Sequence, residues 1–217
     1  MVQEAGFRRD LAADWRAAVG AAGARAPAAD VERAGSALLA RWREPHRHYH
    51  DAEHLAEVLD AVDLLAALAA DPTAVRLAAW FHDAVYQARP GADEEASAVL
   101  AHQVLTGLGV PADRVDRVVR LVRLTAGHDP DDGDTDAAVL CDADLSILGA
   151  GPDRYQRYRL AVRAEYAQVP DPDFRTGRAA VLQALADGQL YRTGPARRRW
   201  EAAARANLAA ELALLST

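Results

Sequence analysis

The stretch Ala79-Trp80-Phe81-His82-Asp83-Ala84-Val85-Tyr86 places an adjacent histidine and aspartate inside an otherwise apolar, helix-compatible run. A buried carboxylate without a partner is costly. A cation should therefore face Asp83, and the neighbouring imidazole, an electron-pair donor, favours a metal ion over an arginine side chain. Just upstream, Asp71-Pro72 supplies an N-cap followed by proline at the first helical position, which starts the helix that carries Trp80 to Tyr86.

Outward from this helix, apolar residues recur at helical spacing and no stretch alternates for the length of a strand. The pattern predicts an all-α fold of about ten helices. The first spans Glu4 to Val19, the second Asp30 to Arg43, and the third Asp51 to Ala70, with Leu55, Val58, Val62, Leu65 and Leu68 on one stripe. Beyond the His-Asp helix, a segment through Leu108 is followed by Pro111 to Thr125, with Val115, Val118, Val119 and Val122 on its apolar side. An acidic loop, Gly127 to Asp134, precedes a short helix over Asp136 to Leu148. Three longer helices follow, near Pro152 to Gln168, Pro172 to Ala186 and Pro195 to Leu215. The expected organisation is a single domain over residues 1–217, with a site-bearing core at about 41–150 and helices 151–217 packed over it.

Composition narrows the function classes. The chain has 217 residues, 51% hydrophobic and only 6% aromatic, which suits helices packed closely through small side chains. Its single cysteine, Cys141, excludes an internal disulfide and any paired-cysteine metal site, and fits a reducing cytoplasm. The start, MVQEAGFRRDLAADW, carries charges where an export signal needs an apolar segment. The longest aliphatic run, Leu64 to Ala70, is far short of the roughly 20 residues that cross a bilayer. We therefore expect a soluble, cytoplasmic protein with no membrane partner. The 25 basic residues are all arginine, and 32 acids bring the net charge to -7, so no nucleic-acid partner is expected. A small anionic substrate stays compatible if arginines gather locally, and so does a homo-oligomer.

Two further segments carry chemistry. In Arg47-His48-Tyr49-His50-Asp51-Ala52-Glu53-His54-Leu55, His50 and His54 lie at i and i+4 and share a helical face. In Cys141-Asp142-Ala143-Asp144-Leu145-Ser146-Ile147-Leu148-Gly149, the two acids lie at i and i+2, about 200° apart on a helix, so they do not face one site together. His46 and His48 read as solvent-facing, His102 as a helix-surface or packing residue, Glu94 and Glu95 as helix-opening acids, and Trp80 and Phe81 as core walls. His128 follows a core helix directly and is a pocket candidate, while Tyr155, Tyr158 and Tyr166 suit either a pocket lining or ordinary packing.

The order Tyr-His-x-x-x-His-Leu, Trp-Phe-His-Asp-x-Val-Tyr, Asp-Ala-Asp-Leu-Ser-Ile-Leu-Gly resembles the HD superfamily of metal-dependent phosphohydrolases, in its bacterial predicted-phosphohydrolase branch. Tyr155-x-x-Tyr158-Arg159, Arg163-x-Glu165-Tyr166 and Ala204-Arg205-x-Asn207-Leu208 extend the resemblance over about residues 40 to 215. It implies an HD-type helical bundle with metal ligands His54, His82, Asp83 and Asp144. Asp144 is preferred to Asp142 because Ala143-Asp144-Leu145-Ser146 is similar to a metal-binding segment of cyclic-nucleotide phosphodiesterases. The same resemblance implies His50 as proton donor and makes His50 and Asp83 the catalytic residues, although Asp51 stands where those enzymes have asparagine. Two imidazoles and two carboxylates suit a divalent Mn, Fe, Co, Ni or Zn ion, with Mg also admissible. A metal-bound water then becomes the nucleophile on a small-molecule phosphoester such as a nucleotide. His128, Arg47, Arg159 and Arg163, with Arg178 beside them, are the candidates for substrate binding. Two other readings fit the same motifs: an HD-type di-iron oxygenase using His102 and His128 as added ligands, and a metal-bearing nucleotide sensor without turnover.

Overall fold

In a computed structural model, residues 9–216 are described, and among them ten α-helices and no strand are found. The helices are α1 (Leu11–Ala21), α2 (Ala28–Arg41), α3 (Ala52–Leu65), α4 (Pro72–Phe81), α5 (Ala92–Gly107), α6 (Ala112–Leu124), α7 (Thr135–Asp144), α8 (Pro152–Glu165), α9 (Asp171–Asp187) and α10 (Gly194–Leu215). Short 3-10 turns, Ala66–Leu68 and Leu145–Gly149, extend α3 and α7.

The chain is arranged around α4. Its sequence, PTAVRLAAWF, is apolar on nearly every side, and a helix of that kind belongs in the interior. Ala74, Val75 and Leu77 to Phe81 are all buried, and α4 packs against α1, α3, α5, α6 and α7. The Asp71 carboxylate accepts from the Ala74 N–H and Pro72 opens the first turn, as the Asp-Pro pair predicts. Trp80 and Phe81 meet Trp15 of α1 edge to face, and the Trp80 indole N–H donates to Asp14. Removing a fully buried tryptophan of this sort costs about 3–5 kcal/mol.

Several boundaries differ from the sequence reading. The helix expected over Asp136 to Leu148 ends at Asp144 and tightens into a 3-10 turn, the one expected to reach Gln168 ends at Glu165, and three others differ for reasons the contacts show. The expected start of the first helix, Glu4, lies outside the described residues, and the described helix begins at Leu11, where the Asp10 carboxylate caps the Ala13 N–H. The third helix stops at Leu65 and tightens into the 3-10 turn, which leaves Leu68 40% exposed rather than on the core stripe. The fourth ends at Phe81 rather than reaching Tyr86. Arg47 takes the carbonyls of Asp83 and Ala84 with its own N–H groups, so those residues leave the helical ladder and turn.

The C-terminal helices close over the turn after α7. Gly149 touches α10, where an added Cβ would lie 2.8 Å from Trp200 Cα and 2.9 Å from its carbonyl oxygen. Only glycine permits that approach. The Asn207 amide then donates to the carbonyls of Leu148 and Ala150, fixing α10 against the end of the Asp-Ala-Asp-Leu-Ser-Ile-Leu-Gly segment.

Candidate metal centre

Three helix ends bring the sequence-predicted ligands together. His54 sits in the first turn of α3, whose N-cap is Asp51: that carboxylate accepts from the N–H groups of Glu53 and His54. Aspartate is among the preferred N-cap residues, and Asp51 fills that role here. His82 is the C-cap of α4, Asp83 lies in the turn after it, and Asp144 ends α7. His54 and His82 are buried, and the side chains of Asp83 and Asp144 are 15% and 13% exposed.

His54 Nε2 and His82 Nε2 stand 3.1 Å apart. Asp144 Oδ1 lies 3.3 Å from the first and 3.5 Å from the second. Asp83 Oδ2 is 3.2 Å from His82 Nε2 and 3.8 Å from His54 Nε2. Nitrogen ligands about 2.1 Å from a shared cation, at right angles to one another, lie about 3 Å apart, so the spacing fits. His82 Nδ1 is 2.8 Å from the Ala79 carbonyl and donates to it, which leaves the Nε2 lone pair for a metal. His54, His82 and Asp144 thus form a group that could hold a metal ion, with Asp83 beside it.

The electrostatics agree with that fit. Burial by itself disfavours charge on every one of these groups. It is outweighed at Asp83 chiefly by the His82 charge, and at Asp144 by His82 and by hydrogen bonds from His128 and His54, and both carboxyls are held well below the usual range. His82 is pushed up by the same two carboxylates despite its burial. Each direction reports a site that stabilises positive charge, which a divalent ion supplies better than a proton.

Asp142, two residues from Asp144, points elsewhere, as the helical angle requires. It is fully buried, and its two oxygens accept from the backbone N–H groups of Arg192 and Thr193, both at 2.7 Å. It holds the start of α10. Cys141 is buried, and its burial together with the nearby Asp144 and Asp142 carboxylates pushes the thiol up.

His50 stands beside the centre with its ring stacked on Tyr86, centroids 4.2 Å apart. Its Nδ1 is 2.7 Å from Glu165 Oε2, which also accepts from the Tyr86 hydroxyl at 2.9 Å. Glu165 Oε1 accepts from the backbone N–H groups of His48, Tyr49 and His50. Burial alone would raise the Glu165 carboxyl, but the hydrogen bond and charge of His50 and these N–H groups bring it down to about 2. Burial would lower His50, and Glu165 overrides it so that the imidazole holds its proton above the ordinary 6.5. Glu165 was missed as a site residue in the sequence, although a signal existed: Tyr155, Tyr158, Val162 and Glu165 form one helical stripe, an acid among buried residues.

The other predicted contacts divide. His128, at a positive φ of 49°, places Nε2 2.7 Å from Asp144 Oδ2, at the centre. His102 is exposed on α5, and His48 is exposed, as is His46, whose ring nitrogen meets the Tyr86 carbonyl. Arg47 is a buried brace rather than a substrate ligand: its N–H groups go to Glu44 and to the carbonyls of His50, Asp83 and Ala84, tying the His50 loop to the His-Asp turn. Arg163 is spent on Asp171 and on the carbonyls of Tyr166 and Val169, and Arg159 sits 3.8 Å from Glu211. The cavity beside the centre, about 630 Å³, is reached instead by Arg178 and Arg192. Glu94 lines a smaller cavity of about 160 Å³ together with Asp83, His128 and Asp144, whereas Glu95 pairs with Arg123.

No family model, curated protein or solved structure matches this chain. Among the described residues, no helix is long and apolar enough to cross a membrane.

Proposed function

We propose that this chain is a metal-dependent phosphohydrolase of the HD type, acting in the cytoplasm on a small-molecule phosphoester such as a nucleotide. The observation that carries the reading is the convergence of buried His54 and His82 Nε2 with the carboxylate of Asp144, a residue that lines an open cavity, with Asp83 beside them. A divalent ion held there by His54, His82, Asp83 and Asp144 would supply an acidified water and offset phosphate charge. The chain's own residues do the rest. His50, fixed through Nδ1 by Glu165 and stacked on Tyr86, keeps its remaining nitrogen for proton donation to the departing oxygen. His128 orients Asp144 through its second oxygen. The di-iron oxygenase reading requires two added histidines at the centre, and only His128 stands there, since His102 is exposed on α5.

The test is elemental analysis of protein purified without chelator, followed by phosphate release from a nucleotide panel. One divalent ion per chain and metal-dependent release are expected. Two irons per chain with oxygen consumption would replace the proposal by the oxygenase, and nucleotide binding without release, at saturating metal, would replace it by a sensor.

Glu165→Gln gives a pH signature. A general acid must be protonated, so activity falls as pH rises through the raised His50 pKa, above the ordinary 6.5. Removing the Glu165 charge should move that alkaline limb to lower pH and reduce turnover while sparing the metal. A pH-rate profile checks it, and an unmoved limb would remove His50 from the acid role. The same pair contributes stability within a window. The share of Glu165, whose carboxyl is lowered from 4.5, is lost as pH falls toward about 2. The share of His50, fully present below 6.5, is lost as pH rises through its raised value.

A further inference from the structure

The cavity of about 630 Å³ has two chemically different walls. Next to the metal centre it is lined by His50, His128 and Asp144. Farther out, Leu145, Ile147, Leu148, Val181 and Leu185 make an apolar side, on which Val181 is 54% exposed. An exposed valine on a cavity wall is the kind of surface that a ligand's apolar body covers.

Two arginines enter this cavity, and they are not equivalent. Arg178 is committed: its Nε donates to Glu211 at 2.8 Å, and one terminal nitrogen donates to the Tyr158 hydroxyl at 3.0 Å, with only 10% of the side chain exposed. Arg192 has among the described residues one side-chain partner, Asp129 at 2.9 Å, and that carboxylate is 88% exposed. A pair of this exposure contributes little and yields readily to a competing anion. Yet the root of Arg192 does not move freely, because its backbone N–H and that of Thr193 are both held by buried Asp142. A fixed backbone carrying a guanidinium with a replaceable partner is a preorganised anion site.

We propose that Arg192 receives a second anionic group of the substrate, while the phosphoryl group to be cleaved lies at the metal centre and the apolar body lies along Leu145, Leu148, Val181 and Leu185. This rests on the phosphohydrolase reading. The substrate class is an organic phosphomonoester that carries a further phosphate or carboxylate. Asp129 acts as a placeholder, occupying Arg192 until the ligand's anion displaces it, and its own charge opposes anion entry.

The probes are adenosine 3′,5′-bisphosphate and adenosine 5′-monophosphate, with the metal-loaded full chain. Affinity is read as Kd by calorimetry, or as KM where turnover occurs, with phosphate release followed in parallel. The parent should prefer the bisphosphate by about tenfold, the order of one charge-assisted contact. Arg192→Ala should erase that preference with unchanged melting behaviour, Arg192→Lys should retain part of it, and Asp129→Asn should strengthen bisphosphate binding. The last sign separates the proposal from a structural latch between Asp129 and Arg192, whose loss would weaken binding. A parent without preference, or a preference that survives Arg192→Ala, overturns the anion site. Arg192-dependent binding without phosphate release from any sample overturns the hydrolase reading and leaves the anion site standing; phosphate release without an Arg192-dependent preference does the converse.

Discussion

Asp144→Ala is expected to lose together the metal and the phosphohydrolase activity proposed for this centre, while the helical fold persists. Asp144 is the carboxylate nearest to both imidazoles taken together, with Oδ1 at 3.3 and 3.5 Å from their Nε2 atoms, and its second oxygen is held by His128. Outer-shell partners of metal ligands already cost about 10–100-fold in affinity when removed, so a direct ligand should cost more than about 100-fold. Loss of the ion forfeits several kcal/mol of transition-state stabilisation, hence a drop in turnover on the order of 10³-fold. The variant should melt below the metal-loaded parent and close to the metal-stripped parent, because an ion held only by the folded chain stabilises it. Elemental analysis, steady-state phosphate release and a thermal melt on one preparation check this. Full metal content in the variant would remove Asp144 from the ligand set.

Much of this arrangement is legible in the sequence alone. Helix order followed from apolar spacing, and the proline and aspartate punctuation at Asp71-Pro72 marked a real start. His50 and His54 both reach the site region, although only His54 lies within the helix, because Asp51 between them is its cap. The divergence of Asp142 from Asp144 followed from the helical angle alone. What escaped depended on long-range partners. Val85 and Tyr86 look helical in sequence because they are apolar. They lie outside α4 because Arg47, far upstream, takes the carbonyls of Asp83 and Ala84. The choice among 25 arginines was similarly illegible: local sequence does not reveal that Arg47 and Arg163 are used up on backbone carbonyls while Arg192 is left with an exposed partner. Buried acids were the underused signal. Glu165 and Glu211 each sit on a helical stripe with buried residues, and each is a hydrogen-bond hub in the structure.

Asp142→Ala should show the opposite pattern, a destabilised protein that still binds metal. The carboxylate accepts two backbone hydrogen bonds of 2.7 Å at the start of α10, and truncation leaves the N–H groups of Arg192 and Thr193 without those acceptors. Hydrogen bonds to a charged group contribute about 1.5–3 kcal/mol each. Burial holds the Asp142 carboxyl above its ordinary pKa even against those N–H groups, so relief of its desolvation offsets part of the loss. The net cost expected is about 2–3 kcal/mol, and for a chain of this size that lowers the melting temperature by about 5–10 °C. The proposed metal ligands lie on other helix ends and on the far side of α7, so metal per chain should match the parent at temperatures where the variant is folded. Because Asp142 also roots Arg192, the preference for a bisphosphate should weaken in the same variant without loss of the ion. A variant that melts like the parent but has lost its metal would show that the roles of the two aspartates are exchanged.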